Sequence, residues 1–318
     1  MGLGHHRASL SITGQRPFFS GLPGILKLLL HEGSGVAMNR SCFAGVPVLL
    51  LLALSKGLAV LGAEPAKLPF KASPVPGGVA VVALPGKSPA PTVTYRGEPV
   101  LTRRVAAGWV AVVGIPLGAK PGPDTLEVDG RALSFTIKPK RYPEQHVHLK
   151  NQRQVTPDAE DEARIAKEQL LMAPAWKAWP EALVPRLAFQ QPTPGGLTAS
   201  FGMRRIFNGV PKSPHAGLDI RAPQGQVVRA PAAGVVVLTG DFFFSGNAVF
   251  LAHGEGVVSL LCHLSKISVK EGQHLRVGDP IGEVGSTGRA TGPHLHWSLS
   301  LNNARVDPRL FLSPAAKE

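Results

Sequence analysis

The sequence predicts a mostly β chain: a small N-terminal β-sandwich, a short helical connector and a C-terminal antiparallel β domain. Glycine (36) and proline (30) together exceed a fifth of the 318 residues, a density of turn formers that suits short strands over long helices. Apolar runs of strand length, rich in β-branched and aromatic residues, recur in both halves with turn residues between them. Only one segment, near residue 157, carries the start signals of a helix. A hydrophobic content of 44% is that of a globular chain.

Residues 1–63 read as a leader. From Met38 a basic residue, Arg40, precedes an apolar run from Phe43 to Leu54 and small residues that end at Ala63, which is the order of a secretory signal. The run is well short of the roughly 20 residues of a membrane-spanning helix, so no stable membrane span is expected after cleavage. Residues 1–37 include a second, shorter apolar stretch, Leu22 to Leu30, without a cleavage pattern. They are read as a misannotated start.

Residues 64–138 are expected to form the β-sandwich. Its strands are the runs Gly78 to Leu84, Thr92 to Tyr95, Trp109 to Ile115 and Ala132 to Ile137, with turns at Pro121-Gly122 and Asp129-Gly130. Residues 139–186 form a polar connector. Within it Thr156-Pro157-Asp158 supplies a capping side chain, an N1 proline and an acid, and the helix runs over about 157–172. Ile165, Leu170 and Leu171 make a thin apolar stripe expected to pack on a domain, and Pro174, Pro180, Pro185, Pro192 and Pro194 mark an extended linker. The second domain, 187–313, has strand-like runs after Gly234, at Asn247 to His253, Gly256 to Leu264 and His294 to Leu301.

The formal net charge is +13. A basic surface concentrates anionic partners without choosing among them. No arginine-rich arm or aromatic stacking motif supports nucleic acid, so none is expected as a partner. Of the two cysteines, Cys42 falls in the leader, which leaves Cys262 alone and no disulfide framework.

Polar groups of the kind a catalytic zinc needs gather in three segments of the second domain. His215 and Asp219 sit four apart in a glycine-containing stretch that suits a loop running into a strand. His294 and His296 stand at i and i+2 in a β run, which projects both to one face. His263 ends a third run and can approach from a neighbouring strand. A catalytic zinc commonly takes three protein ligands and keeps a position for water; two His and one Asp can serve, with two His left for protons. His146 and His148 form another H-x-H pair but lie in the polar connector and are read as solvated. His253 and His274 are read as structural. Cys262 beside His263 is read as a buried spectator, because adjacent strand residues face opposite ways.

These residues fall in FGMRR (Phe201 to Arg205), SPHAGLDI (Ser213 to Ile220), APAAGVV (Ala230 to Val236), CHL (Cys262 to Leu264) and GSTGRATGPHLHW (Gly285 to Trp297). In order and approximate spacing these segments resemble the lysostaphin-type (LytM-like) zinc endopeptidases. The resemblance covers residues 201–312. It implies one zinc per chain held by His215, Asp219 and His296, and a catalytic pair, His263 and His294, that moves protons and stabilises the oxyanion. GIPLGAKP at Gly114 to Pro121 and PEQHVHLKNQR at Pro143 to Arg153 look like the accessory β domain and connector of a proteobacterial periplasmic subgroup. That implies a Gram-negative envelope protein, periplasmic or secreted, with peptidoglycan as its partner and other envelope proteins as candidates. The implied activity is hydrolysis of peptide cross-links or stem-peptide amides of peptidoglycan. Two other readings share the fold: a catalytically silent activator of a cell-wall amidase, against which all five polar positions are retained, and a secreted protein-directed endopeptidase. The accessory domain is expected to pack or position rather than cover the site. Leu261 stands where many members carry Tyr, which implies a lost hydroxyl or an altered groove.

Overall fold

The computed structural model describes residues 68–313 apart from 87, 88 and 199. The expected leader, its signal segment and Cys42 lie outside the described residues.

The first strands are β1 (Val79–Leu84), β2 (Val93–Tyr95), β3 (Glu98–Pro99), β4 (Thr102–Val105), β5 (Gly108–Gly114), β6 (Gly122–Val128) and β7 (Arg131–Ile137). They form two antiparallel sheets, β1-β5-β4 and β3-β2-β6-β7, which close over Tyr95, Ile115, Leu126 and Ile137. Asp129 and Gly130, both at positive φ, make the β6–β7 turn. Pro121 is not in a turn of its own: the chain turns at Leu117-Gly118 and β6 begins at Gly122. The apolar runs of β1 and β5 do not alternate because their sheet is buried on both faces. Ala80, Ala111 and Val113 face the sandwich, while Val79, Leu101 and Val112 join the core of the second domain.

The connector holds more structure than its polarity suggests. β8 (Glu144–Val147) lies where a solvated stretch was expected, and it pairs in parallel with a strand of the second domain. Helix α1 (Ala159–Trp176) is capped by Asp158, whose side chain accepts from the Asp161 N–H, and not by Thr156. It passes through Pro174 in its last turn. Leu170 and Leu171 are 77% and 58% exposed, so the expected stripe is not the docking face. The helix docks instead through Ala175 and Trp176 at its C-terminal end, against Phe250, and through Glu168, whose carboxylate accepts the Phe243 N–H at 2.9 Å.

The second domain contains β9 (Gly196–Leu197), β10 (Arg204–Phe207), β11 (Val210–Pro211), β12 (Leu218–Arg221), β13 (Val227–Arg229), β14 (Gly234–Phe242), β15 (Gly246–Gly254), β16 (Val257–Ile267), β17 (His274–Leu275), β18 (Pro280–Val284), β19 (Leu295–Leu301) and β20 (Ala304–Val306). Its main sheet runs β17-β14-β15-β16-β19-β12-β9. One face carries the larger core, with Leu218, Leu251, Leu261, Trp297 and Phe311. The other face carries Phe250, Leu260 and Cys262 under Trp176, and on this face lie His296 and Ser298, opposite Cys262 and Leu260. The two β domains meet where the Gly114 N–H donates to Asn302 Oδ1 (2.7 Å) and Asn302 Nδ2 donates to Gly114 O (3.0 Å). Ion pairs Lys177–Glu98 and Arg103–Glu255 flank the contact. No helix among the described residues is long and apolar enough to cross a membrane.

Candidate metal centre and active site

The site is assembled by pairing rather than by sequence proximity. Asp219 of β12 stands directly opposite His296 of β19, which places the two side chains on one face. The loop before β12 is tied down by the His215 N–H to Met203 O (2.9 Å) and the Gly202 N–H to His215 O (2.7 Å), and this turns the His215 ring onto the same spot. His215 Nε2 lies 3.1 Å from Asp219 Oδ1 and 2.8 Å from His296 Nδ1, and His296 Nδ1 lies 2.9 Å from Asp219 Oδ1.

The proton positions follow from the outer partners. His215 Nδ1 faces Ser200 O at 2.9 Å; a carbonyl only accepts, so Nδ1 carries the proton and Nε2 turns a bare lone pair inward. Burial, partly opposed by the neighbouring Asp219 carboxylate, pushes His215 down to about 4, so the ring is neutral near pH 7. Burial alone would raise the Asp219 carboxyl, but the adjoining imidazoles of His215 and His296 outweigh it and hold the group well below the usual carboxylate range; the proton it accepts is the one on His296 Nδ1. Lone pairs of a neutral imidazole and a carboxylate thus converge, and one proton on His296 Nδ1 is what they share. A divalent cation fits the same point: tetrahedral zinc at 2.0–2.1 Å places its ligand atoms about 3.3 Å apart, close to the 2.8–3.1 Å separations here.

Two further imidazoles border this triad. His294 Nε2 is 3.9 Å from Asp219 Oδ1, and its Nδ1 faces Gly292 O at 2.8 Å. His263 Nδ1 faces Thr287 O at 2.8 Å. Both carbonyls accept, so each ring is protonated at Nδ1 and keeps an Nε2 lone pair. The rings of His263 and His294 stand 4.8 Å apart, and His263 is 5.9 Å from His296. Burial, then the neighbouring imidazoles of His296 and His294, push His263 down to about 3.

His263 reaches this place through a local irregularity. Cys262 is opposite His296 and shares its face, so strict alternation would send His263 to the other side. Instead His263 has φ +63, and the β15–β16 register shifts between Asn247 and Val249; the left-handed residue returns the ring to the site. Cys262 is buried, and burial pushes its thiol up to about 12.

The structure therefore brings His215, Asp219, His263, His294 and His296 together. His146 is exposed and only approaches Glu144 (3.8 Å), and His148 and His274 are exposed. His253 is buried with Nδ1 on Ala233 O and Nε2 on Ser259 Oγ, both 2.8 Å. Leu261 is fully buried in the larger core opposite Trp297, on the face away from the site, so it does not line the groove. The sequence gives no role to Arg205, whose Nη2 holds Asp219 Oδ2 at 3.0 Å, or to Ser298, whose Oγ meets His296 Nε2 at 2.9 Å. Ser298 could be found at i+2 from His296 on a strand; Arg205 had no such signal. The 430 Å³ cavity between the connector and the β14 end, lined by Arg153, Arg164 and Asp241 among others, contains none of the five.

Residues 213–308 match the model for peptidase family M23, and residues 72–140 that for the peptidase family M23 N-terminal domain. A solved Pseudomonas aeruginosa structure described as a peptidase M23 is 43% identical, with a TM-score of 0.63, over 76% of this chain and 96% of that one. The chain belongs to peptidase family M23. Among curated M23 relatives, the DD-carboxypeptidase/endopeptidase Mpg of Neisseria meningitidis is 50% identical over 94 residues, 30% of this chain and 22% of that protein. The peptidoglycan DD-endopeptidase ShyA of Vibrio cholerae is 39% identical over 112 residues, 35% of this chain and 26% of that protein. The matches thus span about a quarter of these relatives' length. All five site residues lie within the matched M23 peptidase segment.

Proposed function

We propose that this chain is a zinc-dependent endopeptidase that hydrolyses peptide cross-links or stem-peptide amides of bacterial peptidoglycan in a Gram-negative envelope. In this reading residues 187–313 are the peptidase domain, 64–138 the accessory domain, and 139–186 the connector. The observation that carries it is the convergence of His215 Nε2, Asp219 Oδ1 and His296 Nδ1 beside two imidazoles with free Nε2 lone pairs. The names of the curated M23 relatives support the substrate class.

His215, Asp219 and His296 would hold the metal, which when bound supplies Lewis acidity to water and to the scissile carbonyl. Ser200 O and Ser298 Oγ fix the two ligand rings from behind, and Arg205 takes the second Asp219 oxygen. His294 Nε2 accepts a proton from the attacking water. His263, neutral at rest, becomes a donor to the oxyanion or the leaving amine only with a proton gained during the cycle, and His294 is the neighbouring source.

The test is incubation of the protein from Glu64 onward with Gram-negative peptidoglycan, with and without a chelator, and identification of released fragments by mass spectrometry. Chelator-sensitive peptide cleavage is expected. His215→Ala and Asp219→Ala should lose both zinc and hydrolysis; His294→Ala should keep zinc and lose most turnover. Stoichiometric zinc with no cleavage of any peptidoglycan would overturn the enzyme in favour of an amidase activator.

A further inference from the structure

Resting on that reading, we propose that Arg289 is a specificity residue, which takes a free carboxylate of the substrate peptide close to the scissile amide.

Arg289 is a cation without a counter-charge. Its guanidinium stacks over the rings of Phe244 (4.2 Å) and Phe207 (4.9 Å), and among the described residues no hydrogen bond or ion pair engages it. Burial, then the nearby Arg205 charge, depress it to about 10, the mark of a charge held in place without compensation. An aromatic face offers no oxygen acceptor to the guanidinium, so these contacts leave its N–H donors without an anionic partner. A planar fork of N–H donors with a partly desolvated charge is suited to a carboxylate.

Its placement ties it to the chemistry. Arg289 lies in a hairpin loop closed by the Gly285–His294 bridge. Thr287, two residues before it, holds His263 through its carbonyl; Gly292, three residues after it, holds His294. Phe207, on which it stacks, is two residues along β10 from Arg205, the partner of Asp219. The backbone here is pinned, with the Arg289 N–H on Phe244 O (2.9 Å) and Gln154 Nε2 on Gly288 O (2.7 Å). Gly288 (φ +65) packs so closely on Gly246 that a Cβ would fall 2.3 Å from its nitrogen. The guanidinium is therefore held at a fixed offset from both imidazoles, as recognition of one substrate group requires.

The test compares N-acetyl-D-alanyl-D-alanine, which has a free carboxylate, with its carboxamide. Binding of each to the metal-free wild-type protein is measured by calorimetry, and kcat/KM for each on the zinc-loaded enzyme. The carboxylate is expected to be favoured by about tenfold or more in both. Arg289→Met should bring both ratios to within about twofold, and Arg289→Lys should restore part of them. A wild type that does not distinguish the two compounds refutes the proposal without any variant. So does a ratio that survives in Arg289→Met, or a loss of equal size on both compounds, which would make Arg289 a brace for its loop. If neither compound is hydrolysed, the calorimetric ratio alone decides the role of Arg289, and the proposed endopeptidase is judged by its cleavage of peptidoglycan.

Discussion

Replacing Gly217 by alanine should disable the candidate metal centre through a single methyl group. Gly217 lies between His215 and Asp219, and its φ is not in the left-handed region, so backbone strain plays no part. A Cβ there would sit 2.4 Å from His296 Nε2, 2.5 Å from His296 Cε1 and 2.8 Å from Ser298 Oγ. Carbon contacts become favourable only near about 3.5 Å, so the His296 ring must retreat by about 1 Å. That breaks its Ser298 bond and withdraws Nδ1 from its 2.8 and 2.9 Å contacts with His215 and Asp219. Disturbing the support of a metal-binding histidine costs roughly 10- to 100-fold in affinity, and a misplacement of about 1 Å costs about 100-fold in rate. Zinc affinity is measured by competition with a chromophoric chelator, and the thermal melt is recorded with and without zinc. The expected result is a folded protein with affinity lowered at least tenfold. Gly118→Ala, where a Cβ meets nothing within 4 Å, serves as control. Unchanged zinc affinity and turnover in Gly217→Ala would refute the placement of His296 as a ligand.

The remaining predictions concern stability and reactivity. Asn302→Gly keeps the positive φ of the β19–β20 turn (+40) but orphans the buried N–H and C=O of Gly114; at about 1–3 kcal/mol for each unsatisfied group, denaturant unfolding should show a loss of roughly 2–6 kcal/mol, and a loss below about 1 would contradict the domain contact. His253 is pushed down to about 4 by burial, so the unfolded chain binds its proton first, near pH 6.5. Its share of stability is complete above that pH and is lost as pH falls toward 4, in total about 3 kcal/mol. His253→Asn should therefore flatten the pH dependence of unfolding between pH 6.5 and 4 relative to wild type, and an unchanged slope would show that His253 does not titrate there. The Cys262 thiol, raised to about 12 and buried, should resist a thiol reagent in the native protein and react on unfolding; rapid native labelling would contradict its burial.

The mostly β architecture was legible because each strand signal is local: apolar runs bounded by Gly, Pro and Asp set β1, β5, β7, β14, β15, β16 and β19. The strands that escaped notice are stabilised from elsewhere. β8 is polar, EQHV, and is a strand only because β10 offers its edge. Likewise, α1 looks from its apolar stripe as though it docks on Leu170 and Leu171, whereas Glu168 and Trp176 make the contact. The i, i+2 histidines were readable from strand periodicity. His263 was not readable on that ground: its side chain reaches the site only through a left-handed residue at a bulge, and no neighbouring glycine or proline announces it. Arg205 was silent for a similar reason, since its tie to Asp219 depends on where β10 falls in space.

The position of the accessory domain separates two ways in which an N-terminal region can influence a groove. One contact of the sandwich with the peptidase domain, at Asn302, lies six residues along β19 from His296; another, Gly77 against Phe201, lies beside Gly202, whose N–H donates to His215 O. At about 3.3 Å per residue the Asn302 contact is roughly 20 Å from the site. The sandwich also shares the core of the peptidase domain, by way of Val79, Leu101 and Val112. The connector is different. Gln154 bonds the Gly288 carbonyl, and Glu168 bonds the Phe243 N–H at the β14–β15 tip, so it braces the loop that holds His263 and His294 and the aromatic wall on which Arg289 rests. Removing residues 64–185 as a block would strip a core face and this brace at once, and a loss of activity could not be assigned to either. Substitution of Gln154 alone leaves every sandwich contact in place, and so isolates the part of the N-terminal region that touches the chemistry.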